Sequence, residues 1–169
     1  QIVSAARNHG TIVVLDEAFM DFTEGCSLKK HVARYDNLII LRSLTKFFGL
    51  PGLRIGYVIA HPGIIAELSK KKEPWSVNAL AQLSAVESLQ DSGFISKTRE
   101  YVKEARAVLV SDLNKIPCLS VFPGASNFLL VRINRPCLLT AAEVYKQLLK
   151  KDMVIRTCED FAGLDNRFF

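Results

Sequence analysis

The strongest structural signal in this chain lies in residues 37–57, which read NLIILRSLTKFFGLPGLRIGY. The apolar run Leu38 to Leu41 is short, uncharged and rich in isoleucine, which predicts a buried β-strand. A break at Pro51-Gly52 follows, and Leu53 to Ile59 predict a further strand. Lys46 therefore comes just after the carboxyl end of a buried strand, where open α/β sheets collect their ligands.

A second apolar run, TIVVL at residues 11–15, predicts another buried strand, as expected where helices cover both faces of a sheet. Asp16 stands at its carboxyl end. If the two strands are parallel neighbours, Asp16 and Lys46 share one edge of the sheet. The short turn at Pro51-Gly52 would reverse the next strand, so that Arg54 at its start returns to the same edge.

The other elements are predicted from apolar periodicity and capping residues. The later β-β-α-β order indicates a second, smaller α/β domain, so we divide the chain into residues 1–93 and 94–169. Helices are predicted at 2–8, 28–34, 62–68, 77–88 with Ser76 as N-cap, 94–115, and 141–150 opened by Thr140; further strands are predicted at 119–122, 127–133 and 153–156.

Composition excludes several classes of protein. Hydrophobic residues make up 49% and charged residues 23% of the 169-residue chain, which is typical of a soluble globular protein. No apolar run approaches the ~20 residues that span a bilayer, and no signal peptide is visible. We therefore expect a cytoplasmic protein without a membrane partner.

Cysteine spacing and net charge limit the classes of ligand that the chain is expected to bind. The four cysteines are far apart with no CxxC pair, which argues against a metal site and indicates reduced, mostly buried thiols. The net charge of +5 suits an anionic partner. Because no aromatic residues interleave the basic clusters, we expect an anionic small molecule and no nucleic acid.

The residues at the predicted sheet edge match the needs of pyridoxal 5'-phosphate. Its aldehyde reacts with a lysine amine, and its pyridine nitrogen needs an anionic partner to keep the ring an electron sink. Its phosphate needs hydroxyl and guanidinium donors. Lys46, Asp16, and Ser43 with Arg54 supply these groups in turn.

Three motifs resemble those of fold-type I pyridoxal-phosphate enzymes of the class I/II aminotransferase superfamily: DEAF at 16–19, SLTK at 43–46 and GLRIG at 52–56. The nearer likeness is to the histidinol-phosphate aminotransferase branch. Within it, residues 41–47, 74–81 and 163–165 are most similar to threonine-phosphate decarboxylases of cobalamin biosynthesis. The resemblance implies the carboxyl-terminal part of a three-layer α/β large domain, followed by a small carboxyl-terminal α/β domain.

The resemblance also implies roles for individual residues. Lys46 would bind the cofactor covalently, and Asp16 would pair with its pyridinium. Ala18 would pack on one face of the ring. Ser43 and Arg54 would bind the cofactor phosphate.

Substrate binding is implied for Arg156, which matches an arginine that holds an anionic group of the substrate in the family. Many relatives have a tyrosine where Phe19 stands, and phenylalanine cannot provide the hydroxyl. Both ends of the chain look cut, and the family's amino-terminal half, which adds phosphate donors, is missing. We therefore expect the chain alone to bind the cofactor weakly or not at all, and to be inactive.

Two activities and one non-enzymatic role are open. The first is decarboxylation of L-threonine O-3-phosphate to 1-aminopropan-2-ol O-phosphate, and the second is a histidinol-phosphate-type aminotransferase. The non-enzymatic alternative is an inactive fragment that serves as a dimerisation module. Since family members are homodimers, a second copy and the amino-terminal half are the expected partners, with an exposed apolar face where that half would pack.

Simpler structural roles are expected for several other residues. Glu17 is expected to be structural, and Asp16 could cap the turn that follows it. Trp75 and Asn78 are expected to fix the loop and cap between helices.

Overall fold

The computed structural model describes all residues from 1 to 169. The chain forms two compact units, Gln1–Glu100 and Tyr101–Phe169. The domain division at residue 93 stays a prediction. The helices are α1 Ile2–Asn8, α2 Pro62–Lys71, α3 Ala79–Gln90, α4 Ser92–Leu113 and α5 Ala141–Leu149; the strands are β1 Val13–Asp16, β2 Leu38–Ser43, β3 Gly56–Ala60, β4 Leu119–Val121 and β5 Val131–Ile133.

The first unit contains a three-stranded sheet in the order β1-β2-β3. β1 pairs with β2 in parallel, with Asp16 opposite Leu41. β3 runs antiparallel to β2, with Gly56 opposite Ser43. The carboxyl ends of β1 and β2 and the start of β3 therefore meet at one edge, which confirms the predicted strand arrangement.

The two faces of this sheet differ in burial. Leu38 and Ile40 of β2 are fully buried on one face. On the other face Val14 is 56% exposed, and Leu41 and its pairing partner Val58 are each 38% exposed. One face of the sheet is therefore covered within the chain, while the other presents apolar side chains to solvent.

The segment that follows β2 contributes most of the hydrophobic core of the first unit. Leu44, Phe47 and Phe48 are buried there and pack with Ala85 of α3. The Phe47 ring makes edge contacts with Phe22 at 4.9 Å and with Phe48 at 5.0 Å between ring centroids. Burial of Leu44 before Lys46 and of Phe47 and Phe48 after it anchors the backbone on both sides of the lysine.

A buried guanidinium on β2 was not predicted from the sequence. Arg42 Nη1 donates to Asp21 Oδ1 at 2.8 Å and to Glu24 Oε2 at 3.0 Å. Its Nη2 lies 3.0 Å from Glu17 Oε2 and donates to Ser27 Oγ at 2.8 Å. Three of these partners flank or belong to the 3-10 segment Met20–Cys26, so Arg42 ties the chain after β1 to β2.

Two of the carboxylates around Arg42, those of Asp21 and Glu24, have shifted pKa values. Burial raises the pKa of Asp21, and the charge of Arg42 only partly offsets that rise. Burial also acts to raise the pKa of Glu24, but hydrogen bonds from Arg42 and Lys29 outweigh it and lower the pKa. For both groups Arg42 therefore acts to lower the pKa against the effect of burial.

The second unit contains the antiparallel pair β4-β5, in which Leu119 lies opposite Ile133. The carboxyl terminus returns to β5, since Phe169 and Val131 exchange main-chain hydrogen bonds of 2.9 and 3.0 Å. α5 begins with a capping box between Thr140 and Glu143, which confirms Thr140 as the predicted helix opener.

Several sequence predictions of the elements were wrong. α3 is capped by Asn78, whose Oδ1 accepts the Ala81 N–H at 2.8 Å, and Ser76 lies too early in the chain to do this. Residues 153–156 form no strand because Met153 N–H donates to Leu148 O and closes the end of α5. The predicted helix at 28–34 is only the 3-10 turn Lys29–His31.

Other expectations were imprecise. The strand predicted from residue 127 begins only at Val131, where pairing with β4 starts. The cysteines are free, but Cys158 alone is buried, so the expectation of mostly buried thiols was wrong. None of the helices combines the length and apolar content needed to cross a membrane.

Replacement of Arg42 by methionine should lower the free energy of unfolding by roughly 3–5 kcal/mol, because it leaves buried carboxylates without their cation. Urea denaturation monitored by circular dichroism measures the change. The matched control is Arg7→Ala, which breaks an exposed ion pair with Asp36 and should change stability little. Equal effects of the two variants would contradict a special role for the buried pair.

Candidate active site

Asp16 occupies the last position of β1 and is exposed at the sheet edge. Its Oδ1 accepts the Ala18 N–H at 2.9 Å, so it caps the turn that follows the strand. The capping role foreseen for Asp16 is therefore present.

Lys46 lies in a cluster with two hydroxyls. The Ser43 and Thr45 hydroxyl oxygens are 2.7 Å apart, and Thr45 N–H donates to Ser43 Oγ at 3.3 Å. The Lys46 ammonium donates to the same Ser43 Oγ at 3.5 Å, the outer limit for a hydrogen bond. The amine is thus held loosely and remains exposed.

Phe19 connects the end of β1 to this cluster. The Lys46 Nζ atom lies 5.4 Å from the centroid of the Phe19 ring, within the range of a cation–π contact. From the sequence, Phe19 is notable only because it lacks the hydroxyl of the tyrosine found in many relatives. Its contact with Lys46 shows that the segment after β1 and the segment after β2 meet at the predicted edge.

Arg54 lies in the turn that leads into β3, but its guanidinium is bonded within that turn and not to the Lys46 cluster. It adopts a left-handed backbone conformation with φ of 53°, and its Nη1 donates to Pro51 O at 3.2 Å. The adjoining backbone does approach the cluster, because Leu44 N–H donates to Ile55 O. The structure therefore brings the Arg54 main chain to the edge, while the guanidinium turns toward its own loop.

Arg156 belongs to the second unit and lies on an exposed loop. Its guanidinium pairs with Asp160 and stacks over the Phe161 ring at 5.5 Å from the centroid. The guanidinium is therefore paired with a carboxylate and a ring, and it remains exposed to solvent. No sequence signal indicated that Asp160 and Phe161 would support it.

The donor set at the sheet edge fits a compact ligand that carries both a carbonyl and an anionic group. The Lys46 amine contacts a hydroxyl and an aromatic ring, and neither neutralises the amine as a carboxylate would. The Ser43–Thr45 hydroxyl pair offers donors next to it. Asp16 supplies a negative charge at the end of the neighbouring strand.

Comparison with known proteins identifies the family. Residues 1–168 match the family described as Aminotransferase class I and II. The chain belongs to this family. The match extends through both units, and it agrees with the mixed α/β architecture described above.

Curated relatives carry two different names. A threonine-phosphate decarboxylase of Salmonella typhimurium is 36% identical over 159 residues, which are 93% of this chain and 43% of the relative. A histidinol-phosphate aminotransferase of Caldanaerobacter subterraneus is 35% identical over 165 residues, 98% of this chain and 44% of the relative. The chain thus spans less than half the length of these two curated relatives.

Solved structures agree with the fold. The crystal structure of a histidinol-phosphate aminotransferase from Clostridium acetobutylicum superposes with a TM-score of 0.92 at 34% identity. The superposition covers 99% of this chain and 50% of that chain. The helices and strands of this chain are therefore arranged as in a fold-type I enzyme. The chain corresponds to about half of the reference structure.

Gly56 provides a test of how closely the strands approach at the site. A Cβ added there would lie 2.5 Å from Arg42 O, so Gly56→Ala should force β2 and β3 apart beside Ser43. We expect a loss of roughly 1–3 kcal/mol in unfolding free energy, the range for overpacking. Gly52→Ala is the control, since nothing lies within 4 Å of its added Cβ. A control variant as unstable as Gly56→Ala would argue against this interpretation.

Proposed function

We propose that the chain is the carboxyl-terminal part of a pyridoxal-phosphate enzyme whose cofactor is bound by Lys46. The observation that carries the proposal is the exposed Lys46 amine at the sheet edge, in contact with Ser43 and Phe19. Membership of the class I and II aminotransferases supports it. Bound there, the cofactor would supply an electron sink for the bond broken at the substrate's α-carbon.

Several residues of the first unit would each have a separate role in binding the cofactor. Lys46 would provide the amine, and the Phe19 ring would keep that amine above the edge when it is unbound. Asp16 would hold a proton at the pyridine nitrogen. Ser43, oriented by its hydrogen bond with Thr45, would donate to the phosphate.

Three further residues have proposed roles that require contacts beyond those present. Arg54 would release the Pro51 carbonyl and turn its guanidinium toward the phosphate. Ala18 would pack against the ring. Arg156, oriented by Asp160 and Phe161, would bind an anionic group of a phosphorylated amino-acid substrate.

For the reaction we propose decarboxylation of L-threonine O-3-phosphate to 1-aminopropan-2-ol O-phosphate, as a step in cobalamin biosynthesis. The identity to the Salmonella decarboxylase and the Pro74-Trp75-Ser76-Val77-Asn78 segment favour it. The second candidate is a histidinol-phosphate-type aminotransferase, which the similar identity to relatives of that name favours. The outcome would depend on which bond at the α-carbon the substrate-binding residues hold perpendicular to the ring.

The proposed assembly is a cytoplasmic homodimer completed by an amino-terminal half of the same protein. The exposed face of the sheet around Val14, Leu41 and Val58 supports it, because a face of this kind is usually covered in the folded protein. Without that half, the chain would lack part of its phosphate site. It would then bind the cofactor weakly, and alone it would be inactive.

The assignment of Lys46 is tested on the full-length protein that contains this chain, by adding pyridoxal phosphate, reducing with borohydride and mapping tryptic peptides by mass. A pyridoxyl group on Lys46 blocks cleavage there, so we expect a labelled peptide of residues 43–54. Lys46→Ala should lose this label, whereas Lys30→Ala, which removes another exposed lysine, should keep it. Label spread evenly over surface lysines, and unchanged in Lys46→Ala, would show that the assignment is wrong.

The choice between reactions is tested on the full-length protein that contains this chain. With threonine phosphate we expect release of carbon dioxide and formation of aminopropanol phosphate. With histidinol phosphate and a keto acid we expect little amino-group transfer. Transfer of the amino group without carbon dioxide release would reject the decarboxylase and establish the aminotransferase.

A further inference from the structure

Two cysteines of the second unit meet beside the β4-β5 sheet. Cys118 directly precedes β4, and Cys137 follows β5 by four residues. Asn134 lies between them, since its N–H donates to Cys118 O at 2.7 Å and its carbonyl accepts the Cys137 N–H at 3.1 Å. The first bond continues the strand pairing by one residue, and the second closes a turn that brings Cys137 back.

The main-chain bonds of Asn134 to both cysteines bring Cys118 and Cys137 close together. Burial raises the pKa of the Cys118 thiol, and the neighbouring Cys137 raises it further. Each side chain remains half-buried, so small reagents can reach it.

The backbone that presents this pair is firmly held. Asn134 Nδ2 donates to Ser120 Oγ at 2.8 Å, and Asn134 Oδ1 accepts from Arg132 Nε at 3.1 Å. Val131 and Ile133 of β5 are buried beneath it. Both side-chain groups of Asn134 are therefore bonded to residues of the sheet, which fixes the residue that is hydrogen-bonded to both cysteines.

We propose that Cys118 and Cys137 form a reversible intramolecular disulfide by exchange with a low-molecular-weight disulfide. The other two cysteines lack such a partner: Cys26 is exposed on the first unit, and Cys158 is buried with its thiol donating to Arg156 O. The proposal concerns a modification site in the second unit and does not rest on the cofactor or the reaction.

The exchange proceeds in two balanced steps. One cysteine, as its thiolate, attacks a sulfur of oxidised glutathione, forms a mixed disulfide and displaces one glutathione thiolate. The second cysteine attacks the protein sulfur of that mixed disulfide and displaces the other glutathione. The protein loses two electrons and two protons, and oxidised glutathione gains them as two thiols.

The bond would cross-link the start of β4 to the turn after β5. It would close the loop that contains both strands, and a cross-link of that kind restricts the unfolded chain more than the folded one. Oxidation should therefore raise the melting temperature of the second unit. It should do so reversibly, since dithiothreitol would restore the thiols.

Peptide mapping of the full chain tests the proposal. The protein is incubated with oxidised glutathione at mildly alkaline pH, free thiols are blocked, and trypsin is added. Trypsin does not cut Arg135–Pro136, so Cys118 and Cys137 fall on separate peptides, 116–132 and 133–146. We expect these two peptides joined by a disulfide, and separated by dithiothreitol.

Variants and alternative products complete the test. Cys26→Ser should leave the 118–137 cross-link unchanged, whereas Cys118→Ser should leave glutathione attached to Cys137. Wild-type protein in which Cys118 and Cys137 each carry glutathione, or remain free while Cys26 reacts, would overturn the proposal. Since the wild-type map alone decides this point, a variant that fails to fold does not weaken the test.

Discussion

One buried guanidinium holds together the two chain segments that carry the candidate site. Arg42 lies on β2, immediately before Ser43, and its partners Glu17, Asp21 and Glu24 all follow β1. A buried charge is tolerated only when it is paired and hydrogen-bonded. The segment after β1 must therefore fold back under β2, and that fold brings Phe19 to Lys46.

Strand alternation explains how structural and chemical groups occupy adjacent positions. Successive side chains of a strand point to opposite faces. Arg42 points to the buried face, so Ser43 points to the open one; in the same way Glu17 is buried while Asp16 is exposed. Neighbouring residues thus serve the interior and the site without competing for space.

The open face of the first sheet agrees with the membership of this chain in a family of longer proteins. Apolar residues of β1, β2 and β3 remain exposed there, although their sequences read as fully buried strands. The curated relatives are more than twice as long as this chain, and the match covers less than half of each. The sequence pattern therefore fits a sheet covered on both faces, of which this chain covers one.

Local sequence was sufficient for elements whose signals are local. Strong apolar runs predicted β1 and β2, and Thr140 caps α5 as predicted. The edge where Asp16, Ser43 and Lys46 lie also followed from sequence, because a short turn leaves few ways to connect the strands.

Tertiary structure alone decided the rest, because it depends on partners distant in the chain. Arg42 meets its three carboxylates only in the folded chain, and the orientation of Arg54 depends on a carbonyl of its own loop. Residues 153–156 have a strand-like composition but find no strand to pair with. Cys118 and Cys137 are far apart in sequence and meet only through the pairing of β4 with β5. Apolar pattern and capping are properties of neighbouring residues, whereas ion pairs, strand pairing and thiol contacts require the folded chain.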